Sequence, residues 1–201
     1  MKPYFPMFVP LEGRRGLVVG GGAVALRKLE KLAPYGASIR VIAPQILPEI
    51  EVMPDVEPVR RALNPSDLEA DWAFVIAATD DPQTNHLIAE ACGQRRMPVN
   101  VVDDPAHCSF LFPALVQRGP LSVGVCTGGA SPTAAIWLKE QIEAMVPERL
   151  EDILTWLHAQ RPAIKARMQE EQLRAAALRR LFAACMEKGA PLEDEETEGL
   201  L

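Results

Sequence analysis

The sequence predicts an α/β fold built on a parallel sheet, with an all-helical carboxyl-terminal part, and three observations predict it. The stretch "RGLVVGGG" runs an apolar segment, Leu17 to Val19, straight into glycines, as a strand buried on both faces of a parallel sheet does. From Ala23 the period changes to helical, with Val24, Leu26, Leu29 and Leu32 apolar between Arg27, Lys28, Glu30 and Lys31. Further apolar runs, "ASIRVIAP" and "DWAFVIAATDD", then alternate with helical stretches, which implies right-handed crossovers and parallel strands.

The elements follow in order. The second strand is stopped by Pro44, and a proline-interrupted stretch separates it from the third strand run, which ends in "AATDD", residues 77–81. "TNHLIAEACGQRR" reads as a helix and "MPVNVVDD" as a further strand. Beyond Asp104, "CSFLFPALVQRGPLSVGVCTGG" offers two short apolar runs joined by "QRGP", a hairpin pattern. "SPTAAIWLKEQIEAMV" then opens a helix with Ser131 as N-cap and Pro132 at the first helical position. From Pro147 to Lys188 the pattern is helical throughout, and "EDEETEGLL" is expected to be a disordered acidic tail.

Composition narrows the class. At 201 residues the chain holds one dominant domain with a smaller extension. A net charge of −6 argues against nucleic acid as the main partner, because phosphate binding needs a basic excess on one face. No run approaches the ~20 apolar residues of a membrane span. The amino-terminal stretch lacks the features of a secretory signal, so a cytoplasmic location is expected. Cys92, Cys108, Cys126 and Cys185 show no CxxC spacing, and His86, His107 and His158 share no metal-ligand spacing; buried reduced thiols and no resident metal are expected.

Gly20, Gly22 and Ala25 match G-x-G-x-x-A at the end of a strand and the start of a helix. Gly20 permits the tight turn, Gly22 lets the backbone approach a pyrophosphate, and Ala25 lets helix and strand pack closely. A glycine turn in a sheet that binds nothing is the alternative. With the helix N-terminus included, Gly20, Gly21, Gly22, Ala23 and Val24 are assigned to a dinucleotide. The usual acid at the end of the second strand is missing: that end is "IAP", Ile42 to Pro44, with neither carboxylate nor following Arg. The ribose is therefore assigned to backbone at Ala43 and Pro44 and to the loop carrying Thr79 and Asp80, whose plainer reading is a helix N-cap.

"NVVDD" places Asn100, Asp103 and Asp104 at the same carboxyl edge, where a carboxylate can act as a base or simply cap a turn. Alternation along a strand would point only one of the two aspartates into the cleft. Thr127, Gly128, Gly129 and Ser131 in "CTGGASP" form a hydroxyl-rich turn before a helix, suited either to an anion or to plain capping.

With these motifs in the order "YFPMFVPLEGRRGLVVGGGAVALRK", "ATDDPQTN", "VNVVDD" and "SFLFPALVQRGPLSVGVCTGGASP", the sequence resembles the precorrin-2 dehydrogenases, the family that includes the dehydrogenase and chelatase module of siroheme synthase. The resemblance covers roughly residues 3–145. It implies a Rossmann-type parallel sheet followed by a small dimerisation segment and a C-terminal helical domain, with boundaries at 1–112, 113–146 and 147–190 and the tail at 191–201. It also implies NAD as cofactor, a homodimer, and oxidation of precorrin-2 to sirohydrochlorin, followed in some members by Fe²⁺ insertion. Family members likewise lack the acid after the second strand. Asp103 matches the aspartate central to both reactions, and Thr127 matches a serine beside the tetrapyrrole. Cys126 stands where the family has a hydroxyl residue. A substrate rich in carboxylates implies Arg118 in its cleft, with Asn100, Thr127, Gly128 and Ser131 as further contacts. A non-catalytic NAD-sensing module is the competing reading; such modules ordinarily keep the ribose acid and have no need of "NVVDD" followed by the "TGGASP" turn.

Overall fold

The computed structural model describes residues 4–201; residues 1–3, where the expected first domain and amino terminus begin, lie outside the described residues. The chain divides into two compact units, residues 5–112 and, with Tyr4, residues 113–201.

The first unit is a Rossmann sheet. Strands β1 (Arg15–Val19), β2 (Ser38–Ala43), β3 (Val56–Arg60), β4 (Phe74–Ala77) and β5 (Val99–Val101) pair in the order β3-β2-β1-β4-β5. Every pairing is parallel, with Val19 opposite both Ile42 and Ala77. Alternation sorts the side chains onto two buried faces. Leu17, Val19, Val75 and Val99 pack with Ile88 and Cys92 of helix α3 (Pro82–Arg95). Val18, Val41 and Ile76 pack with Ala25 and Leu29 of helix α1 (Ala23–Leu32) and Ile50 of the short helix α2 (Pro48–Glu51). Burial on both faces is why these strands read as continuous apolar runs.

One strand departs from the sequence expectation. The proline-interrupted stretch contains β3, so "DWAFVIAATDD" supplies the fourth strand and not the third. Strand β3 sits at the sheet edge, where Pro58 costs no ladder bond and most side chains stay exposed, so no apolar run announces it.

The second unit opens with an antiparallel hairpin, β6 (Ala114–Arg118) and β7 (Leu121–Val125), followed by helices α4 (Pro132–Met145), α5 (Leu150–Arg167), α6 (Glu171–Lys188) and α7 (Asp194–Glu198). Ile153, Ile164, Ala177, Leu181, Cys185 and Leu192 form its core. The acidic tail expected to be disordered is instead ordered as α7. Leu192 plugs the core, Arg167 donates to both Glu198 oxygens (2.9 and 2.7 Å), and Lys188 pairs with Glu196. Composition alone misread this segment because its acids find fixed cations and its first turn favours negative charge. Among the described residues no helix is long and apolar enough to cross a membrane.

Candidate active site

The order of the sheet reverses between β1 and β4, the point where open α/β sheets bind ligands at the carboxyl ends of their strands. The glycines meet three different demands there. Gly20 has φ +120°, and a Cβ on it would lie 2.1 Å from the Ala78 carbonyl oxygen. A Cβ on Gly21 would lie 2.3 Å from the Gln45 carbonyl oxygen. Gly22 is exposed, caps α1 in extended conformation (φ −91°), and a Cβ there would meet nothing within 4 Å. The first two glycines thus let the loops after β2 and β4 close on the turn, while the third leaves its outer side open. Helix α1 starts at that opening with no side-chain cap and no acid in its first turn, so the free N–H groups around Ala23 and Val24 suit an anion.

The flanking loops carry the other cofactor assignments. Ala43 ends β2, buried, and Pro44 follows, exposed. Thr79 is built into its own loop: its hydroxyl donates to Asn85 Oδ1 (2.8 Å) and accepts from Asp81 N–H (3.2 Å), and Asn85 Nδ2 donates to the Thr79 carbonyl (3.0 Å). The N-cap of α3 is Asp81, neither Thr79 nor Asp80, because only its carboxylate reaches the N–H groups of Gln83 and Thr84. Hydrogen bonds from Thr84 and these amides hold the Asp81 carboxyl below the usual carboxylate range. Asp80 is exposed. Asn85, buried and clamping the loop, went unrecognised in the sequence because it lies inside a helical pattern.

Strand β5 ends at Val101, so Asp103 and Asp104 occupy the turn beyond it and strand alternation does not sort them. Backbone curvature does. Asp103 takes a left-handed conformation (φ 58°), which Asp tolerates better than most residues. Asp104 accepts from or shares a proton with His107 Nδ1 at 2.6 Å, and that contact holds its carboxyl below the usual range. His107 is exposed and meets His86 edge-on at 5.0 Å. Cys108 pins the turn: its sulfur accepts from Val101 N–H (3.1 Å) and faces the Val101 carbonyl (3.2 Å).

Asp103, exposed, has no hydrogen-bonded or ion-paired partner among the described residues; its cationic neighbour is Lys28 of α1. The Lys28 ammonium lies 4.0 Å over the Phe112 ring. Burial, with Lys31 adding to it, pushes the Lys28 ammonium below the ordinary lysine range, and Cys108 and Asp103 pull it back. In the sequence Lys28 stands only as one of the polar residues between the apolar positions of α1. Its position in the second turn of α1, five residues beyond Ala23, was the available signal.

Asn100 is 4% exposed. Its Nδ2 donates to the Phe110 carbonyl (3.0 Å), and its Oδ1 is the one buried side-chain polar atom without a partner among the described residues. An orphaned acceptor three residues before Asp103 is suited to a donor on a bound ligand.

The second unit's assignments fare differently. Arg118 Nη1 donates to the Val146 and Pro147 carbonyls (3.3 and 3.1 Å) beyond the end of α4. Val146 is the C-cap of α4, where a cation is favourable, and the Pro147 carbonyl also accepts from Leu150 N–H (3.1 Å). Thr127 Oγ donates to the Ser131 carbonyl (3.0 Å), and Ser131 Oγ accepts from Ala134 N–H (3.1 Å), so both hydroxyls first build the turn. Gly128 and Gly129, at φ 64° and 84°, turn the backbone where side chains would strain it. Cys126 Sγ accepts weakly from Gly128 N–H (3.5 Å), the local task a hydroxyl would otherwise perform. All four cysteines are free; Cys92 and Cys185 are buried, but Cys108 is half-buried and Cys126 exposed, contrary to the uniform burial expected. Burial raises the Cys92 thiol to about 11, which makes it unreactive. Among the described residues no group of three or more His, Cys, Asp or Glu could hold a metal.

Comparison with known proteins adds three findings. Residues 7–114 match the model of a family described as putative NAD(P)-binding, and residues 118–145 match the model described as sirohaem biosynthesis protein central. The siroheme synthase of Thioalkalivibrio sulfidiphilus is 38% identical over 182 residues, covering 89% of this chain and 37% of that protein. The siroheme synthase of Pseudomonas entomophila is 44% identical over 147 residues, covering 72% and 32%. The chain thus spans about a third of the length of these relatives. A solved structure named SirC, precorrin-2 dehydrogenase, shares the fold with a TM-score of 0.77 at 24% identity, over 98% of this chain and 96% of that one.

Proposed function

The chain belongs to the NAD(P)-binding family of sirohaem biosynthesis proteins, and from that premise we propose that it oxidises precorrin-2 to sirohydrochlorin, with Asp103 as the base. The observation that carries the reading is the pairing of an open glycine turn after β1 with an unpaired carboxylate after β5, both on the carboxyl edge of one sheet. A bound nicotinamide dinucleotide supplies the hydride acceptor.

The residues present fit that group. The open side of Gly22 and the uncapped start of α1 receive the pyrophosphate, and the backbone at Ala43 and Pro44, with the loop of Thr79 and Asp80, holds the adenosine end. Asp103 takes the proton that oxidation releases. Lys28 keeps that carboxylate beside a positive charge, and Asn100 Oδ1 accepts from a ligand N–H. The Thr127, Gly128 and Ser131 turn meets substrate carboxylates through its backbone, since its hydroxyls already close the turn. Insertion of Fe²⁺, if the chain also performs it, strips pyrrole protons and would draw on the same Asp103.

NAD⁺ is preferred over NADP⁺. No cation follows Pro44, and Arg60, the register partner of Ala43 on β3, is occupied by Glu51 at 2.6 Å. The active form is a homodimer, because α4 leaves Ile136, Trp137, Leu138 and Met145 exposed, Trp137 by 57% and Met145 by 79%. Anaerobic incubation of the full chain with precorrin-2 and each dinucleotide tests the reading. Sirohydrochlorin and NADH should appear together, and their absence with both cofactors would overturn it.

A further inference from the structure

The second unit carries a groove that the oxidation does not use. It has a volume of about 780 Å³ and is lined by α5, α6 and Pro120 of the hairpin, so it lies wholly within residues 113–201. Leu154 and Leu157 of α5 face Leu178 and Phe182 of α6 across it. The two in α5 are three residues apart and the two in α6 four, so each pair lies on one face of its helix.

The groove's charge runs against its surroundings. Its lining includes His158, Arg161 and Arg179 and no carboxylate, in a chain of net charge −6. Elsewhere in this unit Arg149 pairs with Asp152, Arg167 with Glu198 and Lys188 with Glu196, and Arg174 donates to the Met168 and Gln169 carbonyls. Arg161 and Arg179 have no such partner among the described residues. Glu151, behind Gly119, is the acid next to the Pro120 end, and it stands outside the lining.

We propose that this groove binds an apolar ring bearing several carboxylates, the chemistry of a tetrapyrrole, at a site additional to the catalytic one. A flat ring buries its faces on leucine and phenylalanine while its peripheral carboxylates reach the two arginines and the histidine. Charge-assisted bonds from arginine to carboxylate are the strong ones, and here no internal acid competes for them. The volume falls within the roughly 300–1,000 Å³ of small-molecule sites. For the identity of the ring the inference rests on the proposed function; its groove and charge do not.

The test uses uroporphyrin I, a stable ring with eight carboxylates, and the full-length chain. Equilibrium dialysis of the wild type is compared with R161E/R179E and with the milder R161Q/R179Q, both positions being exposed. The number of porphyrins bound per chain should fall by one, or the affinity of one class of site by at least tenfold, with unchanged melting temperature and NAD⁺ affinity. Unaltered binding in both variants, or no micromolar binding by the wild type, would overturn the proposal. So would a change of oligomeric state in the variants, which would make the groove a contact between copies. Failure of precorrin-2 oxidation with arginine-dependent porphyrin binding intact would instead sink the proposed function and leave the groove standing.

Discussion

Replacing the three glycines of the turn one at a time by alanine should separate folding from cofactor binding. At Gly20 the new methyl would sit 2.1 Å from a backbone oxygen at φ +120°. Carbon contacts are at their optimum near ~3.5–4.0 Å, so the backbone must move. Strain at such a φ costs about 1–3 kcal/mol and overpacking about as much again, giving roughly 2–6 kcal/mol. Gly21→Ala meets the Gln45 oxygen at 2.3 Å and Ile46 Cα at 2.8 Å, with no φ penalty, and should cost about 1–3 kcal/mol. Gly22→Ala meets nothing within 4 Å. Alanine is a poorer N-cap by about 1 kcal/mol, but the loss of unfolded-state freedom returns about 0.4–1 kcal/mol, so its stability should hardly change. Its methyl nevertheless occupies the space a pyrophosphate would enter, and NAD⁺ affinity should fall at least about tenfold, or ~1.4 kcal/mol. Urea unfolding measures the first quantity and calorimetric titration the second. A folded Gly22→Ala protein that binds NAD⁺ like the wild type would refute the assignment of the turn. A Gly22→Ala protein as unstable as Gly20→Ala would refute the geometry. Gly22→Ser sharpens the contrast, since serine caps helices well and should stabilise the chain while still weakening the cofactor.

Three further outcomes are expected. Asp103→Asn should keep the fold and NAD⁺ affinity while slowing sirohydrochlorin formation by ~10²–10⁴-fold; Asp104→Asn should lose only its contact with His107 and keep near-normal turnover, and a reversal of the two results in stopped-flow assays would exchange their roles. The Asp67 carboxyl is held below the usual range by hydrogen bonds from Arg61 at 2.6 and 2.7 Å, against an opposing effect of burial. With the folded value below the unfolded one of about 3.9, its stabilisation is complete above that pH and lost as pH falls through the folded value; Asp67→Asn should therefore shrink the stability difference between pH 6 and pH 3 in urea titrations, and an identical difference would count against it. Finally, sedimentation should give a dimer at micromolar concentration, and charged replacements of Trp137 and Met145 together should shift it towards monomer; a wild type that sediments only as monomer would exclude this use of α4.

What the sequence determined by itself was local or periodic. Leu17 to Val19 running into Gly20 required a strand buried on both faces with a phosphate-type turn after it, because few other settings tolerate that apolar run and that glycine spacing. Ser131 and Pro132 marked the start of α4 through capping chemistry confined to one turn. Tertiary structure alone decided whatever depended on partners distant in the chain. Strand β3 exists because β2 offers it an edge, although Pro58 and exposed side chains conceal it locally. The acidic tail is ordered because Arg167 and Lys188, on other helices, wait for Glu198 and Glu196. Asp103 and Asp104 are told apart by a left-handed backbone step and by His107, not by strand alternation. Arg118 Nη1 donates to the carbonyls of residues 146 and 147, a contact no spacing in the sequence encodes. Lys28 meets Phe112 and Asp103 only because α1 packs over the end of the sheet. Periodicity and capping act within a few residues and are written in order along the chain, whereas charge pairing and desolvation depend on which surfaces folding brings together.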